Sequence, residues 1–257
     1  MKENTDDSII MNRNFLKDDL RLVINFLYTD QNKGVPAPPI EKPPSAKQKI
    51  IKLSPPQNIT DMKDIGLIQA IKKRKSVRNF INASVTLDEL SFLLWATQGI
   101  RGKTQGEYAY RVVPSAGCRH SFETYIIAMN IKDLQEGIYR YLPVEHAVVV
   151  ESQQTHLSEK IIQATLGQEF VGNAAAVFLW SSIPYRMEWR YSLAAHRVIA
   201  FDIGHVCQNL YLAVQVISAG TCAIAAYDQQ VMDELLGLDG INEFVIYLAA
   251  LGKIKNE

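Results

Sequence analysis

Two stretches, Arg74-Lys75-Ser76-Val77-Arg78-Asn79-Phe80 and Arg111-Val112-Val113-Pro114-Ser115-Ala116-Gly117, decide how this chain is read. The first closes a short amphipathic pattern and sets a hydroxyl between two arginines. Two forked cations and one neutral donor are the groups that hold a phosphate monoester. The second ends a β-like run in a turn of small residues, where backbone N–H groups can approach a flat ligand closely. Arg74, Ser76 and Arg78 with Pro114, Ser115, Ala116 and Gly117 therefore predict a phosphorylated, planar cofactor.

From Asp64 onward the texture is globular. Ile65, Ile68 and Ile71 mark one helical face ending in the basic run 72–75, where cations complement a helix C-terminus. Thr86-Leu87-Asp88-Glu89 is a capping box that opens a helix through Leu93, Leu94 and Trp95 and stops at Gly99. Residues 124–131 and 138–142 predict a hairpin about Gly137, with further strands at 148–150, 174–181 and 244–250. Helices are predicted over 157–166, 193–218 and 228–236. This alternation gives an α+β class: a mainly antiparallel central sheet flanked by helices, with one long central helix.

Upstream, residues 11–27 read as a short helical arm. Residues 32–57 carry Pro36, Pro38, Pro39, Pro43, Pro44, Pro55 and Pro56 and predict extended, polyproline-like chain with no ladder of its own. Ile50, Ile51 and Leu53 favour docking on the core or a partner subunit over a disordered leader. The division expected is an arm over 1–63 and a cofactor-binding domain over 64–257.

Composition narrows the function classes. A chain of 257 residues with 47% hydrophobic content can bury a full core, and 27 basic against 27 acidic residues create no global field for nucleic acid or an anionic membrane. Cys118, Cys207 and Cys222 form no C-x-x-C pair, and the start of the chain carries acid where a secretory leader needs a basic and an apolar region, so a cytoplasmic home is expected. The apolar segment 193–219 is interrupted by Arg197, Asp202, His205, Gln208 and Asn209, which reads as a buried helix and not a membrane span. His196 and His205 stand nine apart with no metal-ligand spacing, so no metal is expected. A nucleophile elbow, a P-loop and a dinucleotide fingerprint are all missing from the sequence, which removes the usual machinery of acyl transfer, phosphoryl transfer and a Rossmann domain.

The R-x-S-x-R-x-F opening, the R-x-x-P-S-A-G turn and a closing Leu251-Gly252-Lys253 together resemble the FMN-dependent nitroreductase superfamily. The run from Met187 to Lys253 is similar to its SagB-type dehydrogenase branch, which contains azoline oxidases of peptide natural-product pathways. The resemblance implies a homodimer with FMN at the interface and NAD(P)H as a transient donor. It further implies that Arg74, Ser76 and Arg78 hold the phosphate and the polar flavin edge, that Lys253 touches the phosphate, that the 114–117 turn reaches FMN from the second subunit, and that Ala225-Ala226 lies over the flavin face. His120 is a further candidate, as a proton donor.

Each residue also has a plainer reading. The basic run can be a solvated helix end, the small-residue turn a simple loop, Lys253 a solvated strand end, and the two alanines packing. Trp189-Arg190-Tyr191 stands where the azoline oxidases place a Lys-Tyr pair. A guanidinium is a poor general base, so Arg190 and Tyr191 are either the catalytic pair with altered chemistry or an interface pair. The resemblance implies an oxidoreductase that moves hydride through flavin N5, acting on a quinone or nitro acceptor or on an azoline ring. The alternative is an interaction subunit of a peptide-maturation complex.

Overall fold

Every residue from 122 to 128 is buried, and the pleat sends the apolar side chains to opposite faces: Ile126 and Ala128 one way, Tyr125 and Ile127 the other. A strand buried on both faces needs cover on both, and helices supply it. The computed structural model describes residues 7–59, 62–102 and 108–255. Among them, seven strands form one sheet: β1 (Ile50–Lys52), β2 (Phe122–Ala128), β3 (Gly137–Leu142), β4 (Ala147–Ser152), β5 (Ala176–Ser182), β6 (Ala219–Ile224) and β7 (Phe244–Lys253). Their spatial order is β1-β4-β3-β2-β5-β7-β6, and each neighbouring pair is antiparallel.

The helices are α1 (Asp7–Asn14), α2 (Leu20–Val23), α3 (Leu67–Lys73), α4 (Leu87–Gln98), α5 (Leu157–Ala164), α6 (Glu169–Gly172), α7 (Tyr185–Tyr191), α8 (Ala195–Ala213) and α9 (Gln229–Leu236). On one sheet face Leu90, Leu93 and Leu94 of α4 and Ile199, Val206 and Leu210 of α8 pack with Ile126, Phe178 and Trp180. On the other, Leu157 and Ile161 of α5 and Met232 and Leu236 of α9 meet Tyr125, Val177 and Leu248. The capping box forms as read. Thr86 Oγ1 accepts from the Glu89 N–H at 3.1 Å and Glu89 Oε2 accepts from the Thr86 N–H at 2.9 Å, a cap worth about 1 kcal/mol.

Four differences from the sequence reading stand out. The 32–57 stretch does form a short ladder: Ile50 pairs with Val149 and Lys52 with Ala147, because the open β4 edge offers unpaired backbone groups to the one apolar run in the arm. The arm helix over 11–27 is interrupted into α1, α2 and a 3-10 turn over Phe26–Tyr28. The apolar face of α3 points outward, with Leu67, Ile68 and Ile71 at 66%, 70% and 57% exposure, and Ala70 is its buried residue. The helix expected over 193–218 is α8 flanked by 3-10 turns at Ser192–Ala194 and Val214–Ile217; the unforeseen α7 precedes it and the unforeseen β6 follows. The acidic start, residues 1–6, lies outside the described residues.

Candidate functional site

The two stretches that opened the reading fold against α8 at different heights, one at Tyr211 near its C-terminus and the other at Asp202 near its middle. Arg74 caps α3, and the chain then runs extended beside β6 and β7: Ser76 bridges Thr221, the Val77 N–H donates to Thr221 O at 2.9 Å, and the Ile81 N–H donates to Lys253 O at 2.9 Å. Two glycines permit that approach. A Cβ on Gly220 would sit 2.7 Å from Val77 Cβ, and one on Gly252 would sit 2.6 Å from Phe80 Cγ. The R-x-S-x-R-x-F and L-G-K motifs are therefore one packing unit.

On this unit the hydroxyls of Ser76 and Tyr211 lie 2.9 Å apart, the Arg74 guanidinium sits 5.4 Å over the Tyr211 ring, and that of Arg78 sits 5.7 Å over Phe170. Among the described residues neither guanidinium has a carboxylate partner, so both keep their donors for a ligand. A cavity of about 530 Å³ is lined by Lys75, Ser76, Arg78 and Lys255. Lys253 is differently engaged: its ammonium pairs with Glu89 and donates to Ile217 O at 2.8 Å.

Nearer the middle of α8, the 114–117 turn is pinned from that helix. The Ala116 N–H donates to Asp202 Oδ2 at 3.1 Å, and Ser115 Oγ accepts from the His120 N–H at 2.9 Å. Burial raises the Asp202 carboxyl, and its hydrogen bonds to Ser115 and Ala116 oppose that rise. Gly117 adopts φ 57°, and a Cβ there would lie 2.5 Å from the Tyr191 hydroxyl and 2.8 Å from Arg190 Cδ. Arg190 and Tyr191, at the C-terminus of α7, therefore close over the turn, with the Arg190 guanidinium 5.6 Å from the Tyr191 ring centroid.

Arg111, the first residue of the turn motif, faces inward. It is buried and donates to Gln98 Oε1 at 2.7 Å and to Ile40 O at 2.6 Å, and burial lowers its pKa to about 10. His120 is also buried; burial first, then the charges of Arg111 and Arg119, push its pKa down to about 3. Near neutral pH the ring is then a neutral imidazole with one N–H and no imidazolium proton to give, which weighs against its reading as a proton donor. The Cys118 thiol, 3.6 Å from His120 Nε2, is pushed up by burial and stays protonated.

The model of the family described as "Nitroreductase family" matches residues 71–253, which takes in both ends of the site. The chain belongs to the nitroreductase family. It is 29% identical over 195 residues to "Putative nitroreductase MJ1384" of Methanocaldococcus jannaschii, covering 76% of this chain and 94% of that one. It is 23% identical over 158 residues to the trifolitoxin-processing protein TfxB of Rhizobium leguminosarum bv. trifolii, covering 58% of this chain and 41% of the relative's length. Its fold matches a chain in the structure of the E. coli microcin synthetase McbBCD complex with truncated pro-MccB17 bound. That match has a TM-score of 0.60 at 18% identity and covers 76% of each chain.

Within this nitroreductase-family chain, Ser76 and Arg78 line one cavity, Arg74 lies over Tyr211 beside Ser76 and outside that lining, and the turn joins Arg190 and Tyr191. The two groups do not meet: Asp202 and Tyr211 are nine residues apart on α8, about 14 Å along its axis. Ala225 and Ala226 lie exposed just after β6, where Ala226 O accepts from Gln168 Nε2 at 2.9 Å. Sequence reading missed Lys255, a second cation beyond the point where the motif was taken to end, and Asp202, whose signal was an acid inside an apolar helix. Among the described residues no three His, Cys, Asp or Glu side chains gather to hold a metal, and no helix is long and apolar enough to cross a membrane.

Proposed function

We propose that this protein is an FMN-dependent oxidoreductase of the SagB-type branch, working as a homodimer, with residues 64–257 as the flavin-binding unit and 1–63 as its arm. The observation that carries the reading is the convergence of Ser76, Arg78 and Lys255 on one cavity, with Arg74 set over Tyr211 beside Ser76 and both guanidiniums free of carboxylates among the described residues. Forked cations beside a hydroxyl suit a phosphate dianion, and cations left without an anion would repel one another. Lys253, taken from the resemblance as a phosphate contact, here orders the strand end through Glu89, and Lys255 is the better ligand.

Bound FMN would supply the hydride acceptor and donor, at N5. The protein's part is to bind, orient and shield it. The Gly117 turn offers backbone donors to a planar edge, Ala225-Ala226 leaves a side-chain-poor surface for a flavin face, and Tyr191 holds a hydroxyl proton beside the turn. Because the phosphate cluster and the turn stand apart in one chain, a second copy would bring its turn to the first copy's cluster. The outward Leu67, Ile68 and Ile71 of α3 and Phe201 of α8, the last 48% exposed, are apolar surface suited to that contact.

Arg190 in place of a lysine removes a side chain able to take a ring proton, which favours reduction of a small quinone or nitro acceptor with NAD(P)H over azoline oxidation. The likeness to the trifolitoxin and microcin proteins supports a peptide-maturation setting and keeps a flavin-free interaction subunit as the second reading. Titration with FMN and with riboflavin separates the two. Loss of one charge-assisted contact costs about 1.5 to 3 kcal/mol, so Arg78→Ala weakens FMN binding by about one to two orders of magnitude. Riboflavin binds the wild type much less well than FMN. Equal affinities, or no binding of either, would refute the phosphate site.

A further inference from the structure

The helix that carries Arg190 and Tyr191 is held by the N-terminal arm. α7 has seven residues, too few to persist on its own account, and its last carbonyls have no partners within the helix. The arm provides them. The Gln31 N–H donates to Trp189 O at 3.0 Å, Trp189 Nε1 donates to Val35 O at 2.9 Å, and the Tyr185 hydroxyl donates to Asp30 Oδ2 at 2.9 Å.

Further along, the arm is fastened to the same helix through one buried carboxylate. Glu123 Oε1 accepts from Arg186 of α7 at 2.5 Å and from the Lys42 N–H at 2.8 Å, while Arg140 donates to Lys42 O at 2.6 Å and Arg111 to Ile40 O at 2.6 Å. On its opposite side Trp189 stacks under the Arg119 guanidinium, 4.7 Å from the ring centroid, two residues past Gly117. Trp189 is thus gripped by arm and turn together. α7 does not inherit a fixed direction from α8, since Ser192 breaks the helical run at φ 49°, ψ −136°.

We propose that residues 29–42 form a positioning strap that fixes Arg190 and Tyr191 over Gly117. The proposal rests on the reading of those two side chains as part of the flavin site. Trp189, Tyr185 and the arm act through α7 and are positioning residues, not catalytic ones.

Trp189→Phe removes the indole donor to Val35 and keeps an aromatic ring for Arg119. Tyr185→Phe, at an exposed position, is a milder second variant that tests the same strap if the first folds poorly. Gln230→Ala, at an exposed position of α9 on the opposite face of the sheet, is the control. Hydrogen exchange by mass spectrometry over residues 185–192 is expected to quicken about fivefold in Trp189→Phe and less in Tyr185→Phe, the size of one lost hydrogen bond, with Gln230→Ala unchanged. Flavin content is expected to stay at the wild-type level, while kcat falls by a similar factor and KM for the nicotinamide donor holds. Exchange no faster than in the control, or faster exchange with unchanged kcat, would overturn the strap. A wild type that takes up no flavin would instead sink the functional reading, and the exchange rates would still decide whether the arm holds α7.

Discussion

Replacing His120 with Asn isolates a buried, uncharged imidazole at the base of the turn. The folded imidazole takes a proton only near pH 3, because burial and the neighbouring Arg111 and Arg119 oppose it, whereas in the unfolded chain it does so near 6.5. Between those values the unfolded chain binds more protons than the folded one. Stability therefore rises with pH across the window and is lost as pH falls. At pH 5 the unfolded imidazole is largely charged and the folded one is not, which removes about 2 kcal/mol relative to pH 7.5. Asn tolerates the positive φ of 48° and keeps the backbone N–H that donates to Ser115 Oγ. Urea unfolding at fixed protein concentration, at pH 7.5 and pH 5, would read the difference. Wild type is expected to lose about 2 kcal/mol more than His120→Asn on acidification, and titration of His146 and the carboxylates cancels in the comparison. Equal losses would refute the assignment of His120 as neutral in the fold.

Three further outcomes follow from contacts in the site. Gly117→Ala meets both a positive φ and the Tyr191 hydroxyl, so it is expected to cost about 1 to 3 kcal/mol, part of which a Tyr191→Phe background restores in a thermal-unfolding double-mutant cycle. Lys255→Met is expected to weaken FMN binding about tenfold at unchanged melting temperature, whereas Lys253→Met strips Glu89 of its partner and lowers stability by about 1 to 3 kcal/mol. Light scattering with flavin quantitation is expected to show a dimer whose flavin content falls with its dissociation. A monomer carrying full FMN would remove the shared-pocket reading.

The parts of the fold legible in the sequence were those written in local signals. The capping box at Thr86, the strand about Tyr125-Ile126-Ile127 and the helix expected over 228–236 each depend on a few adjacent residues, and each formed. The motifs 74–80 and 251–253, joined in the sequence only by the family resemblance, are in contact: Phe80 occupies the space that a side chain at position 252 would fill. What escaped was set by tertiary contact. β6 carries Gly220 and small residues whose strand geometry comes from pairing with β7 and from Val77 leaning on the glycine. α7 shows no clean apolar stripe, because Arg186 and Trp189 are buried through an ion pair and a stacked cation and not through apolar periodicity alone. The face read at Ile65, Ile68 and Ile71 had the right period, yet Ile65 precedes α3 and Ile68 and Ile71 point away from this chain's core, and periodicity cannot say which surface a face will cover. Arg111 belonged to the turn motif but serves the arm, and that division of labour is visible only in three dimensions.

The central claim is hydride transfer through a bound flavin, and anaerobic stopped-flow at the flavin's visible absorption band tests it most directly. With FMN loaded, mixing with NADPH or NADH is expected to bleach the band, a quinone or nitroaromatic acceptor to restore it, and a thiazoline peptide to bleach it weakly or not at all. Fast bleaching by the thiazoline, undiminished in Tyr191→Phe, would contradict the assignment of Arg190 and Tyr191, and a flavin that neither donor bleaches would contradict the oxidoreductase reading itself.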